Sequence, residues 1–148
     1  SPQSVAIADL DGDGKPDLAI ANTNFASVLR NTSTGGAITS ASFAAQVNFS
    51  TGGSPRSVAI GDVDGDGKPD LAIGDNTTNK VSVFRNIATS GSFTTASLAA
   101  KADFSTGGNA SLAMGDLDGD GKPEIAVANN NFNTVSVLRN TATSGSIT

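Results

Sequence analysis

Ser57-Val58-Ala59-Ile60-Gly61, then Asp62-Val63-Asp64-Gly65-Asp66-Gly67-Lys68-Pro69-Asp70, then Leu71-Ala72-Ile73-Gly74: two short apolar stretches flank an acidic, glycine-bearing loop. In an extended chain Val58 and Ile60 point to one face, and Ala59 and Gly61 to the other. Leu71 and Ile73 stand against Ala72 and Gly74 in the same way. Alternation of this kind, bounded by Gly and Asn, is the pattern of strands rather than helices. Neither face carries charge, so both are expected to be buried, as in a sheet stacked between neighbouring sheets.

The passage occurs nearly three times. Asp9, Asp62 and Asp116 open equivalent loops spaced by 53 and 54 residues, and Arg30, Arg85 and Arg139 are equivalent at spacings of 55 and 54. Each unit runs in one order: an apolar stretch (Ser4–Ala8, Ser57–Gly61, Ser111–Gly115), the loop, and a second stretch (Leu18–Ala21, Leu71–Gly74, Ile125–Ala128). An Asn/Thr-rich turn then leads to a third stretch (Ser27–Arg30, Val81–Arg85, Val135–Arg139). A fourth, Phe43–Phe49, recurs as Leu98–Phe104, and Ser-Thr-Gly-Gly turns (Ser50–Gly53, Ser105–Gly108) lead onward.

Four strands per unit of about 50 residues match a β-propeller blade, with a solenoid of stacked sheets as the competing architecture. The expected fold class is therefore all-β: blades of four antiparallel strands in one repeat domain, with units 1–53, 54–107 and 108–148. The last unit stops before a fourth strand. A lone blade cannot bury both faces, and three cannot close a ring. The expectation is a partial propeller, completed by more chain or by a second copy in a homodimer that closes a six-bladed ring.

Composition narrows the function. The 148 residues contain no Cys, His, Trp or Tyr, 17 Gly, and 37 % apolar residues, which suits one small-residue core. Absent cysteine removes a disulfide framework and a thiolate metal site. No apolar run approaches the roughly 20 residues of a membrane span, so no membrane insertion is expected. The chain opens at Ser1-Pro2 with no signal peptide in view, as a mature, excised or partial chain would. The net charge is −5, and 12 of the 14 acidic residues lie in the three loops. Only Asp75 and Asp103 lie elsewhere, and one divalent cation per loop would bring the total to +1. No basic patch supports nucleic-acid binding.

Within the first loop, carboxylates stand at positions 1, 3, 5 and 9 (Asp9, Asp11, Asp13, Asp17) and Lys15 at position 7. The others repeat this as Asp62, Asp64, Asp66, Lys68, Asp70 and as Asp116, Asp118, Asp120, Lys122, Glu124. Gly12 and Gly14 permit the tight curl that makes alternating carboxylates converge. A lysine binds a cation only through its backbone carbonyl, the natural seventh-position ligand. Hard oxygens in this number suit Ca²⁺, which takes six to eight at about 2.3–2.6 Å. Mg²⁺ demands stricter octahedral geometry, and zinc prefers His or Cys. Three Ca²⁺ sites are the expected cofactor complement.

Three other readings of the loop fail. An EF-hand needs a bidentate Glu at position 12, where this chain has Ile20, Ile73 and Val127, and it needs flanking helices. A dockerin-like loop fails for the same reason. A merely solvated hairpin turn does not explain three copies in one register, where four carboxylates would repel one another.

The loops Asp9–Asp17, Asp62–Asp70 and Asp116–Glu124, the flanking Val-Ala-Ile-Gly and Leu-Ala-Ile stretches, and the Gly53-Ser54-Pro55 lead-in resemble the FG-GAP or VCBS repeats of integrin-α-like propellers. The likeness covers essentially the whole chain. The third lead-in, Gly108-Asn109-Ala110, departs from it by lacking the proline. The resemblance implies a β-propeller, often of seven blades, on secreted or cell-surface proteins that adhere to or recognise ligands. Its calcium loops brace the blades and mostly lie away from the ligand. It also implies use as an accessory domain of secreted enzymes, including polysaccharide-degrading ones. The Asn-Thr-Ala-Thr-Ser-Gly-Ser-Ile wording of Asn140–Ile147 looks like large bacterial surface proteins.

The leading expectation is a calcium-braced adhesion or scaffold module with an extracellular protein or glycan partner. A carbohydrate-binding propeller is the alternative, although Trp and Tyr are absent and only seven Phe are available for stacking. Catalysis is not expected: no His or Cys is present, and a glycosidase carboxylate pair would not recur three times. Arg30, Arg85 and Arg139 read as surface or inter-blade hydrogen bonders. Phe43, Phe49, Phe93 and Phe104 read as plugs between blades.

Overall fold

A computed structural model describes residues 1–108 and 110–147. The first sheet is a meander of β1 (Pro2–Ala8), β2 (Asp17–Asn22), β3 (Ala26–Leu29) and β4 (Val47–Phe49). The second repeats it with β5 (Pro55–Gly61), β6 (Asp70–Asp75), β7 (Lys80–Phe84) and β8 (Ala102–Ser105). The third has β9 (Ala110–Gly115), β10 (Glu124–Asn129) and β11 (Thr134–Leu138). Every pairing is antiparallel, and each acidic loop joins the first two strands of its sheet.

Strand register sorts side chains by size. Val58 lies opposite Ile73 and Ile60 opposite Leu71, while Ala59 lies opposite Ala72. The first sheet repeats this with Val5 opposite Ile20, Ile7 opposite Leu18, and Ala6 opposite Ala19. Over its first two strands each sheet thus has one bulky and one small-residue face, the third strand reversing the pattern with Val83 opposite Ala72 and Ser82 opposite Ile73, and the sheets stack the first kind of face onto the second. Ala19, Ala21 and Val28 of the first sheet share a cluster with Val58, Leu71 and Ile73 of the second. Ala72, Val81 and Val83 of the second share another with Ile125 and Val127 of the third. Gly61 shows how close the approach is: a Cβ there would lie 3.2 Å from Met114 Sδ.

The first joint is closed by aromatics. Phe49 sits at the end of β4 with its ring centroid 6.2 Å from Phe84 and 6.0 Å from Phe93, the latter edge-on. Edge-on and tilted contacts of this kind add about 0.5–1.5 kcal/mol beyond area burial. Of the four Phe expected to plug gaps, Phe49 and Phe93 are buried, whereas Phe43 and Phe104 are half-buried.

Two expectations need correction. Burial of both faces holds for the middle sheet, whose β6 is buried throughout. In the outer sheets one face meets no neighbour among the described residues, leaving Val5 59 %, Ile7 65 %, Val135 69 % and Val137 54 % exposed. These are the faces that further blades would cover. The fourth stretch is also not one strand. Asn31 pairs with Phe43 and Val28 with Val47, so three steps along the third strand face four along the fourth. The same slip separates Asn86–Leu98 from Val83–Ala102. One extra residue makes a β-bulge that splits the stretch. Asn109, within the third lead-in, lies outside the described residues.

Ile73 has no exposed surface and touches the first sheet's core, so Ile73→Ala is expected to cost about 2–5 kcal/mol. Ile38 is 64 % exposed in a loop, and Ile38→Ala should stay within about 0.5 kcal/mol. Urea midpoints for the two variants check the contrast.

Candidate metal centre

The loops are curled by glycine. Gly12 and Gly14 have φ of +68° and +85°, and Gly65, Gly67, Gly119 and Gly121 repeat these within the left-handed region. Such angles strain a residue bearing a Cβ. The curl turns backbone N–H groups onto the carboxylates. Asp9 accepts from Asp13 N–H at 3.1 Å and Gly14 N–H at 2.8 Å, and Asp13 accepts from Lys15 N–H at 2.9 Å. The second loop reproduces these distances with Asp62 and Asp66. In the third, Asp116 accepts from Gly119 and Gly121 N–H, and Asp120 from Lys122 N–H.

Carboxylate oxygens converge as a result. One oxygen from each of Asp9, Asp11 and Asp13 lies within 4.8 Å of the others, and the same holds for Asp62, Asp64 and Asp66. The third trio is Asp116, Asp118 and Glu124, with Asp120 outside it. Asp17 and Asp70 stand behind their loops. Asp17 is fully buried and accepts from Leu10 N–H at 3.0 Å and Asn31 N–H at 2.7 Å. Asp70 accepts from Val63 N–H and Asn86 N–H in the same way. Glu124 accepts from Leu117 and Asn140 N–H, and its extra methylene also brings it to the trio. The lysine ammoniums serve other purposes: Lys68 donates to Ala88 O and Lys122 to Ala142 O, while Lys15 lies 4.0 Å from Asp13.

The electrostatics are those of acids confined together. Burial, then the neighbouring Asp13 carboxylate, raises Asp11 above the ordinary carboxyl range. Burial raises Asp17 and pushes Asp70 up to about 6, despite the hydrogen bonds each accepts. Asp11 and Asp64 are each 3 % exposed, and in both Oδ2 has no hydrogen-bond partner. The nearest positive groups are Arg30 Nη1 at 3.6 Å from Asp11 and Arg85 Nη1 at 3.8 Å from Asp64. Arg139 Nε lies closer, 3.0 Å from Asp118. Buried, unpartnered carboxylate oxygens within an oxygen-rich curl fit a hard divalent cation.

The sequence reading passed over Asn31, Asn86 and Asn140. Asn86 Nδ2 donates to Pro69 O in its own loop and to Leu10 O in the preceding one, and Asn140 bridges Pro123 O and Val63 O likewise. Asn31 Nδ2 donates to Pro16 O. The signal was an Arg-Asn pair at the end of every third stretch, of which only the arginine drew notice.

The model of the FG-GAP-like repeat matches residues 9–73 and 62–127, and that of the FG-GAP repeat matches residues 108–147. The chain belongs to the FG-GAP repeat family, and its three antiparallel sheets are blades of that kind. No curated protein and no solved structure matches it.

The raised carboxyl of Asp70 sets a pH dependence. A folded-state value of about 6 against an ordinary 3.8 means that the folded chain holds this proton more tightly. The resulting stability is complete below the unfolded value and is lost as pH rises through about 6. Asp17 and Asp11 act in the same direction. Burial also acts upward on Asp75 and Asp103, but hydrogen bonds from Thr77 and Thr78, and from Lys101 and Ser82, outweigh it and leave both low. Those two affect stability only at more acidic pH. In chelator, the thermal midpoint should fall between about pH 5 and 7. A flat or rising profile by circular dichroism would contradict this account.

Proposed function

We propose that this chain is a calcium-braced β-propeller module of a secreted or cell-surface protein, acting in adhesion or scaffolding rather than catalysis. The observation that carries the calcium reading is the pair of buried, unpartnered oxygens, Asp11 Oδ2 and Asp64 Oδ2, each held inside an acidic curl. Asp9, Asp11 and Asp13 would hold the first ion, Asp62, Asp64 and Asp66 the second, and Asp116, Asp118 and Glu124 the third. Asp120 and the carbonyls of Lys15, Lys68 and Lys122 are the further oxygens of these loops. Asp17 and Asp70 can contribute as well, since an oxygen accepting one hydrogen bond keeps a second lone pair.

The extracellular assignment rests on the family resemblance. Extracellular modules bind calcium at about 10⁻⁴–10⁻³ M, so the ion acts as a brace where calcium is abundant. Lack of His and Cys, together with threefold repetition of the acid clusters found among the described residues, supports a non-catalytic role. The exposed bulky face at Val5 and Ile7 and the exposed face at Val135 and Val137 are surfaces for further blades to cover, from more chain or a second copy. A glycan-binding reading finds one point of support in Phe132, 64 % exposed among Asn130, Asn131 and Asn133. A glycan array with the parent chain and Phe132→Ala distinguishes it from a protein-ligand role.

Calcium at about ten times its dissociation constant should stabilise the chain by about 1.4 kcal/mol per site. Chelator should lower the calorimetric midpoint, and added calcium should restore it. Asp11→Ala and Asp64→Ala should each remove one ion from the stoichiometry in titration calorimetry. A midpoint indifferent to calcium would refute the brace.

A further inference from the structure

The backbone of the first loop is gripped by the second repeat. Three consecutive carbonyls, Leu10, Asp11 and Gly12, all accept hydrogen bonds from residues about 76–80 positions further along the chain. Asn86 Nδ2 reaches Leu10 O at 2.8 Å, Gly91 N–H reaches Asp11 O at 3.2 Å, and Ser90 Oγ reaches Gly12 O at 2.9 Å. The grip is reciprocated by Arg30, whose Nη1 donates to Gly91 O at 2.8 Å from a point 3.6 Å from Asp11 Oδ2. Residues 89–92 form a tight turn closed by pairing of Thr89 with Ser92, and Gly91 at φ +73° aims its N–H at the loop.

We infer that the Thr89–Ser92 turn and Asn86 are positioning elements for the first cation loop, so that ion occupancy there and docking of the second repeat stabilise each other. This rests on the calcium reading above and adds an inter-repeat linkage to it. The carbonyls that accept from the second repeat belong to Leu10, Asp11 and Gly12, within the stretch whose Asp9, Asp11 and Asp13 carboxylates converge. Holding those carbonyls fixes the curl before an ion arrives, which lowers the ordering cost of binding. By reciprocity, an ion that fixes the curl must strengthen the grip. The buried, unpartnered Asp11 Oδ2 adjoins this grip, because Arg30 lies 3.6 Å from it and donates to Gly91 O.

Hydrogen exchange tests the linkage, because the turn contains no acidic residue. In the full chain, calcium should slow exchange of the peptide spanning residues 88–93 by about five-fold or more. Asp9→Asn keeps an acceptor for the loop N–H groups while weakening the first site, and should abolish that protection but leave calcium-dependent protection of residues 62–70. Ser90→Ala should weaken one of three calcium sites by about three-fold or more in titration calorimetry, without changing the stoichiometry. Protection of the loops with none at 88–93, or protection at 88–93 that survives Asp9→Asn, would overturn the linkage and leave the calcium reading intact. No calcium response in any loop would overturn both.

Discussion

A buried carboxylate that accepts two backbone N–H groups organises each repeat. Asp70 takes one bond from Val63, at the start of its loop, and one from Asn86, just past the third strand. Two stretches separated by a whole hairpin are thereby fixed to the first residue of β6. Asp17 and Glu124 do the same in the other repeats. Hydrogen bonds to a charged acceptor are worth about 1.5–3 kcal/mol, and a buried carboxylate left without them would be costly. Their consequence is positional. Once Asn86 N–H is held by Asp70, Asn86 Nδ2 falls between Pro69 O and Leu10 O and can join one repeat to the preceding one. The side chain that shapes the loop therefore also aligns the joint.

Stacking bulky faces onto small ones supplies the rest of the joint, and the two joints are not filled equally. The first has Phe49, Phe84 and Phe93 in mutual contact. At the second, the corresponding residues are Phe104, Leu138 and Ile147, all within or beside a cavity of about 250 Å³. Replacing two rings by aliphatic side chains leaves atoms without packing partners and forfeits dispersion energy. Backbone grip follows the same trend. Each joint has one strand N–H donating to a serine of the preceding sheet, but among the described residues the first loop is held at its Leu10, Asp11 and Gly12 carbonyls and the second at Val63 O by Asn140.

Much of this was legible in the sequence because it is periodic. Val58, Ile60, Leu71 and Ile73 alternate with small residues, which fixes strand faces, and repetition at about 54 residues fixes the unit. Loop curl was equally readable, since paired glycines between alternating aspartates have few other uses. What could not be read was which partner each carboxylate chooses. Asp17 and Asp13 look alike in a motif, yet one is buried against backbone N–H groups and the other faces the loop interior. The fourth stretch was misread as one strand because a one-residue bulge leaves no mark on an Ala-Ala run such as Ala44-Ala45 or Ala99-Ala100. Asn86 was missed because its partners lie in two different loops, a relation that exists only after the sheets stack.

The arginines show why the three loops, nearly identical in sequence, differ in chemistry. Arg30 and Arg85 stand 3.6 and 3.8 Å from Asp11 and Asp64, near enough to offset charge but without a hydrogen bond to the buried oxygen. That oxygen remains available to a second positive partner. At the third loop, Arg139 Nε donates directly to Asp118 at 3.0 Å, and Asp118 is more exposed than its counterparts. Solvent weakens the repulsion there, and the guanidinium satisfies an oxygen that the other loops leave open. Glu124 adds a longer arm to that trio where an aspartate serves in the others. The third loop thus has less electrostatic strain for a cation to relieve and more competition for its oxygens. Equal spacing of acids along the chain does not make equal sites; the depth at which each loop is covered by the next repeat does much to distinguish them.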